Sequence, residues 1–158
     1  MKFSNAVEAG YRNYFNFSGV AGRAEYWWFF LWYMLLWIVA ALLVATSVVL
    51  KTQNPPGSLA LTVIAGLFGL AGLATIIPGL SVQVRRLHDA GHSGWWVGVL
   101  LLLYALRLVL HAMVGRNPGA GLYLAVLVLA VVWLGVNIAI FVFLVQPSRS
   151  AGGGKSRY

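Results

Sequence analysis

The sequence predicts an all-α integral membrane protein, a four-transmembrane-helix bundle built from two hairpins. Apolar residues make up 61% of the 158 residues and charged residues only 9%, whereas a soluble domain is about half apolar. The apolar residues gather in four runs, each close to the roughly 20 residues that a helix needs to cross a bilayer. The predicted spans are about residues 27–50, 59–82, 94–114 and 122–145.

The N-terminal segment predicts a short amphipathic helix on the cytoplasmic membrane surface. Phe3, Val7, Tyr11, Tyr14 and Phe15 recur every three or four positions, the spacing of one helix face. A disordered leader with scattered aromatic residues is the alternative. The first apolar run is longer than the core of a signal peptide, so we expect a retained span.

The connections between the apolar runs are turn sequences. Residues 54–57 read Asn-Pro-Pro-Gly and residues 117–119 read Asn-Pro-Gly, which end helices. Short connections force neighbouring helices to be antiparallel, so spans one and two form one hairpin and spans three and four the other. Tryptophan pairs, typical of the membrane interface, open the first and third spans, which suggests an internal repeat or a coincidence. These predicted anchors are Trp27, Trp28, Trp95 and Trp96.

The second span carries small residues and one proline. Ala65, Gly69 and Gly72 follow helical spacing, which lets helix backbones approach closely. Pro78 has no backbone N–H and therefore frees the carbonyl group of Ala74. The sequence leaves open whether the resulting kink is static or a hinge.

Three polar residues lie inside the third and fourth spans. Arg107 and His111 are one helical turn apart and share a face. Ionisable groups within a span are candidates for function, although an arginine near a helix end also reaches outward to the interface. Asn137 is expected to hydrogen-bond between helices.

The distribution of basic residues predicts the orientation. The two tails and the second loop hold eight Lys and Arg residues, whereas the first and third loops hold two. By the positive-inside rule, both termini are cytoplasmic and the protein crosses the membrane several times.

We expect residues 1–147 to form a single membrane domain and the glycine-rich residues 148–158 to form a flexible tail. The basic residues flank the spans rather than form one patch, so we expect no nucleic-acid partner.

A cluster of charged residues follows the second span. Residues 85–89 read Arg-Arg-Leu-His-Asp, and Ser93-Gly94 follows shortly after. One hypothesis is an ion-paired clamp that ties the two hairpins together. The other is an anion site for a phospholipid headgroup or a phosphorylated small molecule, since guanidinium groups suit phosphate geometry. The residues of this predicted site are Arg23, Glu25, Arg85, Arg86, His88 and Asp89.

The signals for catalysis are weak. His88, Asp89 and His92 could hold a metal or exchange protons, but they do not form a zinc motif. The chain has no cysteine, which excludes disulfide and thiolate chemistry. We therefore predict no catalytic residues, no metal and no cofactor.

Two stretches resemble the bacterial inner-membrane family called domain of unknown function 805. They are Phe17–Phe29, with its Gly-Arg-Ala-Glu-Tyr-Trp-Trp core, and Arg85–Trp96, with Arg-Arg-Leu-His-Asp before Ser-Gly-Trp-Trp. Ala24-Glu25 and His92 depart from the usual family pattern. The resemblance implies a small multi-span protein of the bacterial inner membrane and implies no activity.

The leading hypothesis is a non-enzymatic membrane protein that binds anionic phospholipid or a protein partner through its cytoplasmic charged cluster. The alternative is a homo-oligomeric transporter or channel component that uses Arg107, His111 or Asn137, because one four-span chain has few groups to line a pore. A membrane enzyme using His88 and Asp89 is the third hypothesis.

Overall fold

The computed structural model describes residues 1–114 and 119–149, and over these residues it is all-helical. The predicted fold class is therefore confirmed. The turn at 117–118, Arg116 and residues 150–158 of the predicted tail lie outside the described residues. The helices are α1 (Phe3–Arg12), α2 (Arg23–Leu50), α3 (Pro55–Ala74), α4 (Ile76–Asp89), α5 (Trp95–Val114) and α6 (Ala120–Val145).

Four helical stretches are long and apolar enough to cross a membrane. Much of their apolar surface faces outward; Leu70 is 63% exposed and Leu102 is 68% exposed. So much exposed apolar surface would be unfavourable in water, whereas a bilayer solvates it. The candidate spans are Arg23–Leu50, Pro55–Asp89, Trp95–Met113 and Ala120–Val145.

The described residues form two compact units. The first takes Met1–Phe17 and Ala24–Val82, which include α1, nearly all of α2, α3 and the first turns of α4. The second takes Ser18–Arg23 and the described residues from Gln83 onward, which include the end of α4 with α5 and α6.

The predicted turn between the first two spans caps the start of α3. The side chain of Asn54 accepts a hydrogen bond from the backbone N–H of Gly57 at 3.2 Å. Pro55 and Pro56 occupy the first two helical positions, where a missing N–H costs nothing. The sequence Asn-Pro-Pro-Gly therefore starts α3, whereas α2 has already ended at Leu50.

The second predicted span is interrupted at Thr75, between α3 and α4. Pro78 is the third residue of α4, and its missing N–H leaves the carbonyl group of Ala74 free, as the sequence predicts. The hydroxyl group of Tyr14 donates to this carbonyl oxygen at 2.6 Å. The break is therefore stabilised by the N-terminal segment of the first unit.

The α1 helix packs against α2 through its small residues. Ala6 and Gly10 are buried, and a Cβ atom added at Gly10 would overlap the ring of Phe29. Of the aromatic residues predicted to form the apolar face, Tyr14 and Phe15 lie beyond the end of α1. Tyr11 packs edge-on against Phe29, with ring centroids 5.7 Å apart, and Phe15 is 71% exposed.

Candidate functional site

The guanidinium group of Arg86 lies at the centre of a buried polar cluster in the second unit. The side chain is fully buried. Its Nε donates to the carbonyl oxygen of Leu144 at 3.1 Å, and its Nη2 donates to the same oxygen at 3.0 Å and also to the carbonyl oxygen of Gln146. Arg86 thus satisfies backbone acceptors at the end of α6.

The bonds from Arg86 satisfy carbonyl groups at the end of α6. The last carbonyl groups of a helix have no partner within the helix, and they carry the negative end of the helix dipole. The last turn of α6 contains no basic residue. Arg86, contributed by α4, therefore supplies both the hydrogen bonds and the positive charge that this helix end lacks.

Asp89 neutralises the buried Arg86. Nη1 of Arg86 lies 2.5 Å from Oδ2 of Asp89, one helical turn further along α4. The hydroxyl group of Ser148 donates to the same Asp89 oxygen. A buried charge is tolerated when it is both paired and hydrogen-bonded, and this pair meets both conditions. The ion pair itself lies within α4, between residues three positions apart.

The corner after α4, residues 90–92, ends the helix and fixes the direction of the chain that follows Asp89. The N–H of His92 donates to the carbonyl oxygen of Leu87 at 2.8 Å, and the N–H of Gly91 donates to that of His88 at 3.0 Å. This pair of bonds is a Schellman motif, which needs a left-handed residue after the helix. Gly91 has φ +80 and supplies it without a Cβ penalty.

His92 fixes the segment that follows α6. Its ring stacks on that of Phe143, with centroids 3.8 Å apart. Its Nε2 and the side-chain oxygen of Gln146 are 2.8 Å apart. Trp96 packs edge-on against the same Phe143 ring at 5.5 Å. The polar cluster is therefore bordered by an aromatic layer that joins the corner to α6.

The segment Ser18–Arg23 also belongs to this unit. The N–H of Ala21 donates to the carbonyl oxygen of Arg85 at 3.1 Å. Nδ1 of His88 lies 3.3 Å from the carbonyl oxygen of Gly19. Nε of Arg23 donates to the carbonyl oxygen of Gln146 at 3.0 Å, the oxygen that Arg86 also uses. Five of the six predicted cluster residues thus lie in one unit; the sixth, Glu25, lies in the first turn of α2 in the other unit.

The arginine side chains of the cluster divide by exposure. Arg85 and Arg86 are buried, whereas Arg23 and Arg149 are exposed. The side chain of Arg149 packs over Gly91, where an added Cβ atom would lie 2.6 Å from the arginine Cδ. Arg85 and Arg86 therefore lie inside the cluster, whereas Arg23 and Arg149 lie at its exposed edge, where Arg23 also bonds to Gln146.

The predicted tryptophan anchors differ in environment. Trp95, the first residue of α5, is 82% exposed, while Trp28 is 39% exposed. Trp28 packs edge-on against Phe3 of α1 at 5.9 Å. Trp27 and Trp96 are half-buried. The exposure of Trp95 makes it the strongest candidate for an interfacial anchor.

The polar residues inside α5 and α6 form a second, smaller group. Nε of Arg107 donates to Nε2 of His111 at 3.4 Å, and the guanidinium carbon lies 5.3 Å from the ring centroid of Trp133. The amide of Asn137 donates to the carbonyl oxygen of Trp133 at 2.8 Å. That bond stays within α6, whereas the sequence predicted one between helices.

Sequence reasoning missed the residues after α6 that complete the cluster. Leu144 and Gln146 contribute carbonyl groups and Ser148 contributes a hydroxyl group, and none of these has a sequence signature for binding arginine. The only available signal was that α6 ends without a basic residue. Ser148, predicted as the start of the tail, binds Asp89. Within residues 1–114 and 119–149, no three His, Asp or Glu side chains come together as a metal site would need.

Comparison with known proteins places the chain in a family. Residues 14–154 match the family described as "Protein of unknown function (DUF805)", which includes the buried cluster and all four candidate spans. The chain belongs to this family. The resemblance noted in the Arg-Arg-Leu-His-Asp and Ser-Gly-Trp-Trp strings is thereby confirmed over most of the sequence.

Two relatives carry names that give their location. The chain is 34% identical over 91 residues to "Inner membrane protein YhaH" of Escherichia coli K12, covering 58% of this chain and 68% of the relative. It is 35% identical over 99 residues to "Inner membrane protein YhaI" of the same strain, covering 63% and 73%. No solved structure matches the chain. The family, these relatives and the four apolar helices identify an inner-membrane protein of unknown activity.

Proposed function

We propose that this protein is a non-enzymatic membrane protein that binds anionic phospholipid headgroups through the exposed arginines around the Arg86–Asp89 pair. The observation that carries the proposal is the charge balance of the second unit. Asp89 is the only acidic residue in the sequence of the second unit. Arg86 and Ser148 both bond to its carboxylate. The cluster also contains Arg23, Arg85 and Arg149, so it is strongly positive.

The exposed side chains of Arg23, Arg149 and Trp95 suit the binding of a phosphate group. Arginine guanidinium groups bind phosphate oxygens with paired, charge-assisted hydrogen bonds. The exposed indole of Trp95 is suited to the headgroup level of a bilayer. Each basic residue near an anionic membrane surface contributes about 1 kcal/mol of attraction. Arg23, Arg149 and Trp95 would together form a small headgroup site.

The proposal includes an orientation. Basic residues accumulate on the cytoplasmic side of bacterial membrane proteins, where anionic lipids attract them. We place the cluster and both termini in the cytoplasm. Gly22→Cys tests this orientation, because the chain has no other cysteine. The new thiol should react only with a membrane-permeant reagent in intact cells, and labelling by an impermeant reagent overturns the orientation.

The alternative hypotheses gain less support. A shared pore would need Arg107, His111 and Asn137 to face a common path, whereas Asn137 bonds to its own helix. An enzyme using His88 and Asp89 would need an available carboxylate, whereas Asp89 accepts bonds from Arg86 and Ser148. Lipid binding uses groups that the structure leaves on the surface.

Native mass spectrometry tests the proposal on protein extracted with its membrane lipids. The Arg23→Gln/Arg149→Gln variant leaves Arg86 and Asp89 in place, so it removes two surface charges without opening the buried pair. We expect retained phosphatidylglycerol or cardiolipin to fall roughly tenfold or more, from about 1 kcal/mol for each charge.

Lys51→Gln is the matched control, because Lys51 is exposed and follows the other end of α2. It should retain the lipid as the wild type does. Equal retention of anionic lipid by the wild type and the double variant would overturn the proposal.

A further inference from the structure

Arg107 places a positive charge inside a predicted membrane span. It precedes Val114, the last residue of α5, by seven positions, which is roughly 10 Å along the helix axis. The side chain is half-buried. A charged group at this depth is costly unless an anion, a dipole or water compensates it. The cation–π contact with Trp133 and the bond to His111 supply partial compensation only, since neither partner carries a negative charge.

No carboxylate of this chain belongs to α5 or α6. The acidic residues of the whole sequence are Glu8, Glu25 and Asp89, and all of them precede α5. A second copy of the chain would bring the same arginine and the same acid-free helices to this region. An anion beside Arg107 would therefore have to come from a different molecule.

The surroundings of Arg107 are rich in donors. Among the described residues, Nε1 of Trp133 is buried and has no hydrogen-bond acceptor. The Asn137 amide is a further donor, and its acceptor is the carbonyl group of Trp133. The indole beside the guanidinium group thus carries a second donor without an acceptor, which would suit an oxygen-rich anion.

An apolar groove with a volume of about 460 Å³ lies along α5 and α6, over the same stretch of α5 that carries Arg107 and His111. Leu106 and Leu110 line it from α5 and directly precede Arg107 and His111 in the sequence. The groove opens along its side to the surroundings of the helices, which in a membrane are lipid chains. Its lining is wholly apolar and consists of Leu106, Leu110, Gly121, Leu124, Ala125, Val128, Leu129 and Val132.

We propose that this groove and Arg107 form a phospholipid site, with an acyl chain in the groove and the phosphodiester on Arg107 and His111. A phospholipid fits both parts of the site, because its anionic phosphate can bind Arg107 while its apolar chain lies in the groove. Arginine in a span draws headgroups inward by snorkelling and local thinning of the bilayer. His111 is exposed and lies one turn nearer the end of α5, on the path of the headgroup.

This site differs from the proposed headgroup site in its selectivity. The cluster around Arg86 contains several positive charges and so favours lipids with net negative charge. Arg107 offers one guanidinium group, which pairs with the single phosphate of any phospholipid, zwitterionic phosphatidylethanolamine included. Occupancy at Arg107 should therefore depend little on headgroup type.

The test is native mass spectrometry of the full chain, delipidated and then mixed with phosphatidylethanolamine. Arg107→Gln removes the charge, and Ala125→Phe fills the groove while leaving the charge. We expect each variant to reduce the one-lipid peak roughly tenfold. Arg107→Gln loses a hydrogen bond to a charged group, and Ala125→Phe occupies the space of the acyl chain. Arg107→Lys, which keeps the charge, should retain most of the binding.

Two controls make the result specific. Leu127→Phe adds bulk at another exposed position of α6 outside the groove and should bind as the wild type does. The Arg23→Gln/Arg149→Gln variant should also keep phosphatidylethanolamine, even if it loses anionic lipid. The two lipid sites can therefore fail independently.

Inorganic phosphate distinguishes the source of the anion. If phosphate alone protects the wild type against heat as well as phosphatidylethanolamine does, and Ala125→Phe responds equally, the site binds a free anion and the lipid proposal is overturned. Unchanged lipid binding in both Arg107→Gln and Ala125→Phe also overturns it, and would direct attention to a partner helix with a carboxylate. If Arg107→Gln fails to fold, Ala125→Phe decides.

Discussion

Arg86 of α4 closes the end of α6 by donating two hydrogen bonds to the carbonyl oxygen of Leu144, from Nε at 3.1 Å and from Nη2 at 3.0 Å. The two residues are 58 positions apart in the sequence. The bonded end is that of an apolar helix whose own last turn has no cation. Arg86, the second arginine of the Arg-Arg-Leu-His-Asp sequence, therefore caps the end of α6 from another helix.

Replacing Arg86 with lysine should destabilise the protein although the charge is kept. The ammonium group cannot reproduce the planar fork that reaches Leu144, Gln146 and Asp89 together. We expect a loss of about 3 kcal/mol or more in the free energy of unfolding, as for breaking a buried pair. Unfolding in detergent micelles, followed by circular dichroism, measures it. Arg12→Lys, at an exposed position of α1, is the control, and equal stability of the two variants would contradict the capping role.

Asp89→Asn should be more damaging than Ser148→Ala. The asparagine leaves the buried Arg86 charge uncompensated, which costs about 3–5 kcal/mol. Loss of the Ser148 hydroxyl group removes one hydrogen bond to a carboxylate, worth about 1.5–3 kcal/mol. The double variant should be less unstable than the sum of the two, because both residues act through one carboxylate. Strict additivity in a double-mutant cycle would argue against a shared network.

Gly91→Ala should destabilise the corner after α4. The residue adopts φ +80, which costs a non-glycine residue about 1–2 kcal/mol. The new Cβ atom would also lie 2.6 Å from Cδ of Arg149, so that side chain must move. Thermal unfolding of Gly91→Ala beside Gly22→Ala checks this, since a Cβ atom at Gly22 meets nothing within 4 Å. Identical melting temperatures would show that the corner tolerates a side chain.

The segment that follows α1 should protect the break between α3 and α4. The hydroxyl group of Tyr14 donates to the carbonyl oxygen of Ala74. Oγ of Ser81 lies 2.8 and 2.6 Å from the carbonyl oxygens of Asn13 and Asn16, which share its one proton. Tyr14→Phe with Ser81→Ala leaves these acceptors without their donors, at about 1–3 kcal/mol for each group that stays buried. We expect faster amide hydrogen exchange at residues 75–81 and in α1.

Tyr123→Phe is the control for that exchange experiment, because Tyr123 lies in α6 and is 53% exposed. Its exchange pattern at residues 75–81 should match the wild type. Unchanged exchange in the Tyr14→Phe/Ser81→Ala variant would mean that the break is stable without the N-terminal segment.

Composition alone predicted the spans because membrane insertion depends on local quantities. The length of an apolar run and the placement of basic residues along the chain are enough to identify helices that can cross a bilayer. Local chemistry also predicted the freed carbonyl group at Ala74, since it follows from the missing N–H of Pro78. The acceptor was predictable, but its donor, Tyr14, lies 60 positions away.

The charged string was visible in the sequence, whereas its partners were not. Residue types and spacing marked Arg86 and Asp89 as unusual in so apolar a chain, and left a clamp and an anion site equally consistent with them. Only the tertiary structure brought Leu144, Gln146 and Ser148 to these side chains, because backbone carbonyl groups are the same at every position and carry no sequence signal. The sequence by itself determined which segments are helical and apolar. The packing of the helix ends decided which arginines are buried as caps and which remain on the surface, because that choice depends on where distant carbonyl groups come to lie.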